Sequence, residues 1–478
     1  MTQQPQHLAA LESAAQFFGA ELRHWRTLRC LSQRALGDLT HDSGALIGKV
    51  EKAERRPSLD LARRLDAALD TGGALERRWV QLDRTKRAIR PSGDAGPAID
   101  PPPVHLGLGW SDTPASAVDA VTELWRADMH RRAVIVGAAW SAAALVSPAR
   151  RWLNDPTDPD ISHTGRRRVG RADVEVMWSM AASFAGADHR LGGGYARNTL
   201  IQFLDQVVGP LLQGTYDDAL GRQLYAAAAR LSNLAGFMCF DSGRHGLGQR
   251  YFVQALRLTK AAGDQALGAH ILTDMSMQAH HLGRSGDARA LAAAGHRTAT
   301  VAGFPSIAAR CGALQARAAA AAGDKTGALR AMKRAEQDLA RATTEVPAWI
   351  RFFTPEQLHA EWMYVSAELG HAGEVQRFAP AVVGAEATMM QRRHVLAAST
   401  LAASYLPADR GAGDGRARGD VDQACAVLRE ALPSATGLTS ARGLDSINAV
   451  RARLTPYRDR PAVQQVEADF QALVTSAQ

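Results

Sequence analysis

Basic side chains concentrate near the beginning of this 478-residue sequence. Residues 1–90 contain 16 lysines and arginines against 11 aspartates and glutamates, a surplus of five out of an overall net charge of +8. A small basic segment on a nearly neutral chain indicates a polyanionic partner, since clustered cations can neutralise neighbouring phosphates. Among these cations, Lys49, Lys52, Arg55 and Arg56 have the charge to neutralise phosphates.

The segment around these cations has the pattern of two short helices joined by a tight turn. Ser32 and Ser43, eleven residues apart, can each accept a hydrogen bond from the backbone at the beginning of a helix. Leu36, Ile47 and Val50 are spaced to form the small core between the two helices. This spacing is typical of a helix-turn-helix.

Further positions in this segment match a known family in register: Leu31-Ser32-Gln33, Leu36, Ser43, Ile47, Lys49-Val50-Glu51 and Arg55-Arg56-Pro57. With them, residues 17–75 resemble the Cro/C1-type, or xenobiotic-response-element type, of DNA-binding domain. The resemblance implies five helices, with Ser43–Lys52 in the major groove of double-stranded DNA. It also implies that Gln33 fixes the register on a phosphate or a base edge. The DNA-binding residues that it implies are Gln33, Arg34, Ser43, Gly44, Ala45, Lys49, Lys52, Arg55 and Arg56.

Three positions depart from that family pattern. His41 stands in the turn, where the family usually carries glycine, and Gly44 and Ala45 occupy recognition positions without a polar side chain. Ala45 can contact only a thymine methyl group, so base readout would fall on neighbouring polar side chains or on DNA shape. A single domain of this kind would have weak sequence specificity. The alternative is a helix-turn-helix that contacts protein.

The composition is that of a folded, helix-rich chain. Hydrophobic residues make up 46% and charged residues 22%, close to the globular average, and recurrent runs of alanine favour helices. The longest uncharged apolar stretch, residues 133–146, has 14 residues, whereas a membrane span needs about 20. No lysine or arginine precedes Arg23, which is unlike the start of a signal peptide. We therefore expect a cytoplasmic, nucleoid-associated protein with no membrane partner.

Residues with the spacing of an enzyme or metal site are lacking. The four cysteines form no C-x-x-C pair, and adjacent His280 and His281 would point about 100° apart on a helix. The three glycines at 192–194 are followed by no Gly-Lys-Ser/Thr, so they predict a tight turn rather than a phosphate-binding loop. We therefore expect no enzyme, no metal and no cofactor.

An internal repeat of 40 residues runs through the second half of the chain. Gly243, Gly283 and Gly323 each separate two helical stretches, and small or apolar residues recur at the same offsets around each. The pattern resembles the tetratricopeptide repeat, a helix–turn–helix unit of nominally 34 residues, with longer helices. A weaker unit centred on Gly370 and a fifth ending at Ala431 would extend the stack into a solenoid with a concave groove.

The predicted fold is all-α: a five-helix Cro/C1-type domain, a linker, and a tetratricopeptide-like solenoid. Five prolines between Pro91 and Pro103 favour an extended linker. The predicted segments are a helix-turn-helix domain at 1–90, a proline-rich linker at 91–116, a helical middle region at 117–215 and the repeat domain at 216–478.

The first helix of each repeat lines the concave groove of such a solenoid. Arginine and histidine recur there, so the groove would be cationic, and Asn233 could both donate to and accept from an extended peptide. The groove would bind a peptide or a small anionic molecule; alternatively, its polar side chains only satisfy neighbouring helices or solvent. The candidate ligand-binding residues are Arg230, Asn233, Phe237, His270, Thr273, Met277, His280, Arg310, Arg317, Gln357 and Tyr364.

The combination of these two domain types resembles two groups of bacterial regulators. One group is the peptide-pheromone receptors of Gram-positive bacteria. The other is the actinomycete regulators of differentiation and secondary metabolism, which residues 188–197, 207–212 and 240–258 resemble in detail. The resemblance implies a homodimeric transcriptional regulator that binds double-stranded DNA and responds to a peptide or small-molecule effector. The alternative is a protein–protein adaptor whose solenoid binds a partner regulator and whose helix-turn-helix only localises it.

Overall fold

The computed structural model describes residues 14–29, 31–69, 71, 75, 79, 106–130, 139–343, 346–383, 390–407 and 420–476. Their regular secondary structure is helical, apart from isolated bridges between single residues, which confirms the predicted all-α class. The chain separates into two compact units, residues 1–100 and 101–478. No helix within the described ranges combines the length and the apolar composition that a membrane crossing requires.

Serine side chains begin two helices of the smaller unit, as the sequence predicts. The Ser32 hydroxyl accepts a hydrogen bond from the Ala35 N–H at 3.0 Å, and the Ser43 hydroxyl accepts one from the Leu46 N–H at 3.2 Å. The fifth helix of the predicted domain would follow residue 69, where only residues 71, 75 and 79 are described. The bounded helices are α1 (Ala14–Leu28), α2 (Gln33–Thr40), α3 (Gly44–Glu51) and α4 (Leu59–Leu69). Their buried core includes Phe18, Leu22, Leu36, Ile47, Val50, Leu61, Leu65 and Leu69.

The larger unit begins with a segment that packs against its helical repeats. Residues 91–105 of the predicted linker lie outside the described residues, but from Leu106 onward the backbone is held by side chains of the first repeat. Gln254 Nε2 donates to the carbonyls of Gly107 and Gly109, each at 3.0 Å. The helices that follow are α5 (Pro114–His130), α6 (Ala143–Asn154), α7 (Arg171–Leu191), α8 (Gly193–Phe203) and, after a π-helical turn at Leu204–Val208, α9 (Gly209–Leu212).

Helical hairpins form the rest of the larger unit. The predicted turn glycines Gly243, Gly283 and Gly323 all have φ between +72° and +77°, a backbone conformation that glycine adopts without strain. Gly263 and Gly303 adopt it as well, so a left-handed turn recurs every 20 residues rather than once in 40. The helices are α10 (Asp218–Asp241), α11 (His245–Ala262), α12 (Gln265–His281), α13 (Ser285–Val301), α14 (Pro305–Ala321), α15 (Lys325–Ala340), α16 (Pro355–Glu368), α17 (Ala372–Val383), α18 (Gln391–Tyr405), α19 (Val421–Ala435), α20 (Ala441–Leu454) and α21 (Pro461–Ser476).

The far end of the repeats returns to the beginning of the same unit. The N–H of Gly194 donates to the carbonyl of Thr439 at 3.0 Å, and the N–H of Thr439 donates to the carbonyl of Leu191 at 2.8 Å. The predicted turn at 192–194 is shorter in the structure, because Gly193 and Gly194 already belong to α8, and the segment is also a contact surface. A Cβ at Gly192 or at Gly194 would lie 2.9 Å from atoms of Thr439, so only glycine allows this approach.

Buried ion pairs lie directly beneath this contact. Arg392 on α18 donates to both carboxylate oxygens of Asp188 on α7, at 2.8 and 3.0 Å, and to Asp241 at the end of α10, at 3.1 Å. Asp241 also accepts from the Ser440 hydroxyl at 2.9 Å and lies 3.7 Å from Arg442. Burial opposes the ionisation of Asp241, but the two guanidiniums outweigh it and lower the pKa of the carboxyl.

Replacing Asp241 by asparagine should weaken this closure more than any change to an exposed ion pair. Arg392 and Arg442 would be left with less compensating charge in a buried site, a change that costs about 3 kcal/mol. Thermal unfolding followed by circular dichroism measures the effect. Asp469→Asn, which removes the exposed pair with Arg429, is the matched control and should leave the midpoint unchanged. Equal midpoints for the two variants would contradict the expectation.

Candidate functional site

The predicted DNA-binding residues lie mainly on the exposed side of the second and third helices. Ala45 and Lys49 are exposed on one face of α3, because they are spaced by four residues, and Lys52 is exposed at the C-cap of the helix. Arg34, Ser43, Arg55 and Arg56 are also exposed, whereas Gln33 and Gly44 are half-buried. The arrangement presents several cations and one helix face to a partner.

Gln33 has a partner within the unit. Its Nε2 donates to Glu51 Oε2 at 2.8 Å, and the same oxygen accepts from Arg26 Nη2 at 3.0 Å. The side chain of Glu51 is fully buried, so this cluster ties α1, α2 and the end of α3 together. Glu51 belongs to the sequence motif, but its spacing did not indicate a role as the anchor of Gln33. The predicted contact of Gln33 with DNA stays a prediction.

Gly44 permits a close approach of the two helices. A Cβ there would lie 2.8 Å from the Cα of Arg34, a distance that real Cβ atoms do not show. In the turn between the helices, His41 adopts φ +58° and ψ +37°, the left-handed conformation that explains why glycine is usual at this position. Histidine is among the residues that tolerate this region best. The sequence analysis treated Gly44 only as a recognition position and did not predict its role in helix packing.

The concave side of the repeats encloses a cavity of about 450 Å³. The first helices of successive hairpins, α10, α12, α14, α16, α18 and α20, contribute to its wall, and α7 closes it. Nine of the eleven predicted groove residues line this cavity: Arg230, Asn233, Phe237, His270, Met277, Arg310, Arg317, Gln357 and Tyr364.

The other two predicted groove residues lie elsewhere. Thr273 is fully buried, and its hydroxyl donates to the carbonyl of Ala269 at 2.8 Å. His280 Nε2 lies 3.3 Å from a carboxylate oxygen of Glu368, at a neighbouring opening of about 500 Å³. Counting residues along a helix identifies the helical turn that faces the cavity. It does not distinguish side chains of that turn that point in neighbouring directions, such as Thr273 and His280.

The cavity also contains charged residues that the sequence reasoning missed. Asp274 and Glu361 follow predicted groove residues by four positions, so the helical period could have found them. Others come from α7, α18 and α20, where no matched glycine indicated a groove position. These are the ionisable residues Asp188, His189, Arg392, Arg393, Arg442 and Asp445, together with the uncharged polar residue Ser446.

The cationic character of the cavity comes from arginine rather than histidine. Burial lowers the pKa of His189 to about 4 and that of His270 well below its ordinary value, so both imidazoles are neutral at pH 7. His270 Nδ1 accepts a hydrogen bond from Arg310 Nη1 at 3.0 Å, which fits its neutral form. Six arginines and four carboxylates line the cavity among the described residues.

Comparison with protein families decides the nature of the N-terminal unit. Residues 18–79 match the family model of a helix-turn-helix domain. No curated protein and no solved structure matches the chain. The helix-turn-helix domain supports a DNA-binding regulator at this coarse level.

The helix-turn-helix domain should respond very differently to two neighbouring substitutions. Gly44→Ala should destabilise it by about 1–3 kcal/mol because the new methyl group overlaps Arg34. Ala45→Ser, at an exposed position, should change little. Hydrogen exchange of residues 31–57 in the full chain measures both effects locally. Unchanged protection in Gly44→Ala would contradict the packing role.

The buried imidazole of His270 should make stability depend on pH. Its lowered pKa means that the unfolded chain takes up a proton below about pH 6.5 while the folded chain does not, so the free energy of unfolding falls as the pH drops. His270→Gln, which keeps an acceptor for Arg310, should flatten this decrease in urea denaturation between about pH 7 and pH 5. His371→Gln serves as the control, and an unaltered decrease in His270→Gln would refute the assignment.

Proposed function

We propose that this chain is a homodimeric transcriptional regulator that binds operator DNA through its helix-turn-helix domain. The observation that carries the proposal is the matched domain, with Ser43 capping α3, Lys49 exposed on that helix and Lys52 exposed at its C-cap. These cations have the charge and exposure needed to neutralise phosphates. Two such domains in a dimer would contact two half-sites, which compensates for weak readout by each.

The helical-repeat unit is the part that senses a peptide or small-molecule signal in this proposal. Its cavity of about 450 Å³ lies within the range of ligand sites, and its wall combines aromatic side chains with arginines. A ligand that favours one arrangement of the repeats would shift the population that is competent to bind DNA. Ligand binding and DNA binding are then separately measurable properties of one chain.

An adaptor is the second candidate, and one observation favours it. Gly44 is used for packing, Ala45 has no polar group, and the amide of Gln33 donates to Glu51, so few side chains remain to read bases. In an adaptor, the repeats would bind a partner regulator. Regulation in cells would then survive replacement of Gln33 and Lys49 by alanine, whereas the regulator that we propose would lose it.

Fluorescence anisotropy with the DNA flanking the gene of this protein tests DNA binding. We expect the full chain to prefer this DNA over a scrambled sequence, with an affinity that falls as salt rises. Lys49→Ala should weaken binding to both sequences and reduce the slope of log K against log salt by about one, because one phosphate contact is lost. Lys333→Ala, an exposed lysine on α15, is the charge-matched control. Identical binding by wild type and Lys49→Ala would contradict the proposal.

A further inference from the structure

The guanidinium of Arg230 lies in the cavity wall without a carboxylate partner among the described residues. Arg230 on α10 is only 6% exposed, and within the described residues no hydrogen bond or ion pair reaches its side chain. Burial lowers the pKa of this guanidinium to about 10, so it remains charged at pH 7. An unpaired buried charge is unfavourable, and the side chain lies in the wall of the cavity.

The two carboxylates whose charges act on Arg230 already accept hydrogen bonds from other side chains. Asp274 accepts from Arg310 through Oδ1 and from Asn233 through Oδ2, the latter at 2.9 Å. Both oxygens of Asp188 accept from Arg392. The protein therefore supplies counterions for Arg310 and Arg392 and leaves Arg230 available for an external anion.

Apolar side chains lie beside this cation. Leu234 and Phe237 follow Arg230 by four and seven residues and thus share its face of α10, and Met277 and Leu396 line the same cavity. A ligand that satisfies this wall needs one acidic group and an apolar body. Charge-assisted hydrogen bonds to a planar guanidinium favour a carboxylate or a phosphate group.

A neighbouring cavity with basic side chains in its wall offers such a ligand a route to the site. It has a volume of about 530 Å³ and shares His189, Phe352, Met390 and Arg393 with the main cavity. Its wall adds the exposed cations Arg190 and Arg351 against the single carboxylate of Glu356. A cleft dominated by one sign of charge concentrates ligands of the opposite sign.

We infer that the cavity binds a small organic acid, with its anionic group on Arg230 and its apolar body against Leu234, Met277 and Leu396. The inference rests on the proposed sensing role of the repeat unit and specifies the chemical class of the signal. Binding energy then comes from two parts: a charge-assisted pair that replaces no existing protein contact, and burial of the apolar body.

Isothermal titration calorimetry of the full chain with 2-naphthoate, and with its neutral counterpart 2-naphthamide, tests this inference. We expect the acid to bind with a Kd below about 1 mM and at least about tenfold more tightly than the amide. Arg230→Met should remove that preference, and Arg230→Lys should retain part of it. Arg250→Met is the control, because Arg250 is also 6% exposed but lies outside the cavity.

The melting temperature of the ligand-free proteins provides a second measurement, and here the substitution of Arg230 should raise stability although it weakens binding. Arg230→Met should melt at a higher temperature than wild type, since it removes an unpaired buried charge, although it binds the acid less well. A lower melting temperature, or equal affinities for acid and amide in wild type, would overturn the inference. DNA anisotropy on the same samples separates the two proposals. Binding of naphthoate without binding of DNA would remove the proposed function alone, and the reverse result would remove this inference alone.

Discussion

The cluster of Asp188, Asp241 and Arg392 is the constraint on which the larger unit depends. It joins α7, α10 and α18, so that the row of hairpins encloses a cavity. The same cluster consumes the carboxylates that could have neutralised other cations in the wall. The closure and the electrostatic character of the cavity are therefore one structural fact, because each acidic oxygen can serve only a limited number of donors.

The helix-turn-helix domain uses the same principle on a smaller scale. Glu51 is buried and gathers Arg26 and Gln33, which fixes the third helix against the first two. Glycine at position 44 brings the second and third helices together, and the serine caps set where they begin. These contacts hold the three helices together although the recognition positions Gly44 and Ala45 carry no polar side chain. Arg26 is used in this internal cluster, whereas the side chains of Lys49, Lys52, Arg55 and Arg56 are exposed and make no hydrogen bond or ion pair within the described residues, so they can contact a polyanion.

Local features of this fold were predictable from sequence, and distant partnerships were not. The caps at Ser32 and Ser43 act over three residues, and the turn glycines recur at a fixed interval, so both are visible as patterns. Nine groove positions followed from that interval. The pairing of Asp188 with Arg392 spans 204 residues, and no pattern in one sequence specifies it. The isolation of Arg230 depends in turn on that pairing, so its role also required the folded structure.

Closure has a consequence for how such a chain can change over evolution. An open solenoid gains or loses units at little cost, because each unit contacts only its neighbours. Here, insertion of one further helical hairpin would move α18 away from α7 and would separate Arg392 from its two carboxylate partners. We therefore expect duplication and deletion of whole units to be disfavoured. The outer turns at Gly283, Gly303 and Gly323 have open space around them, so length variation can accumulate there instead.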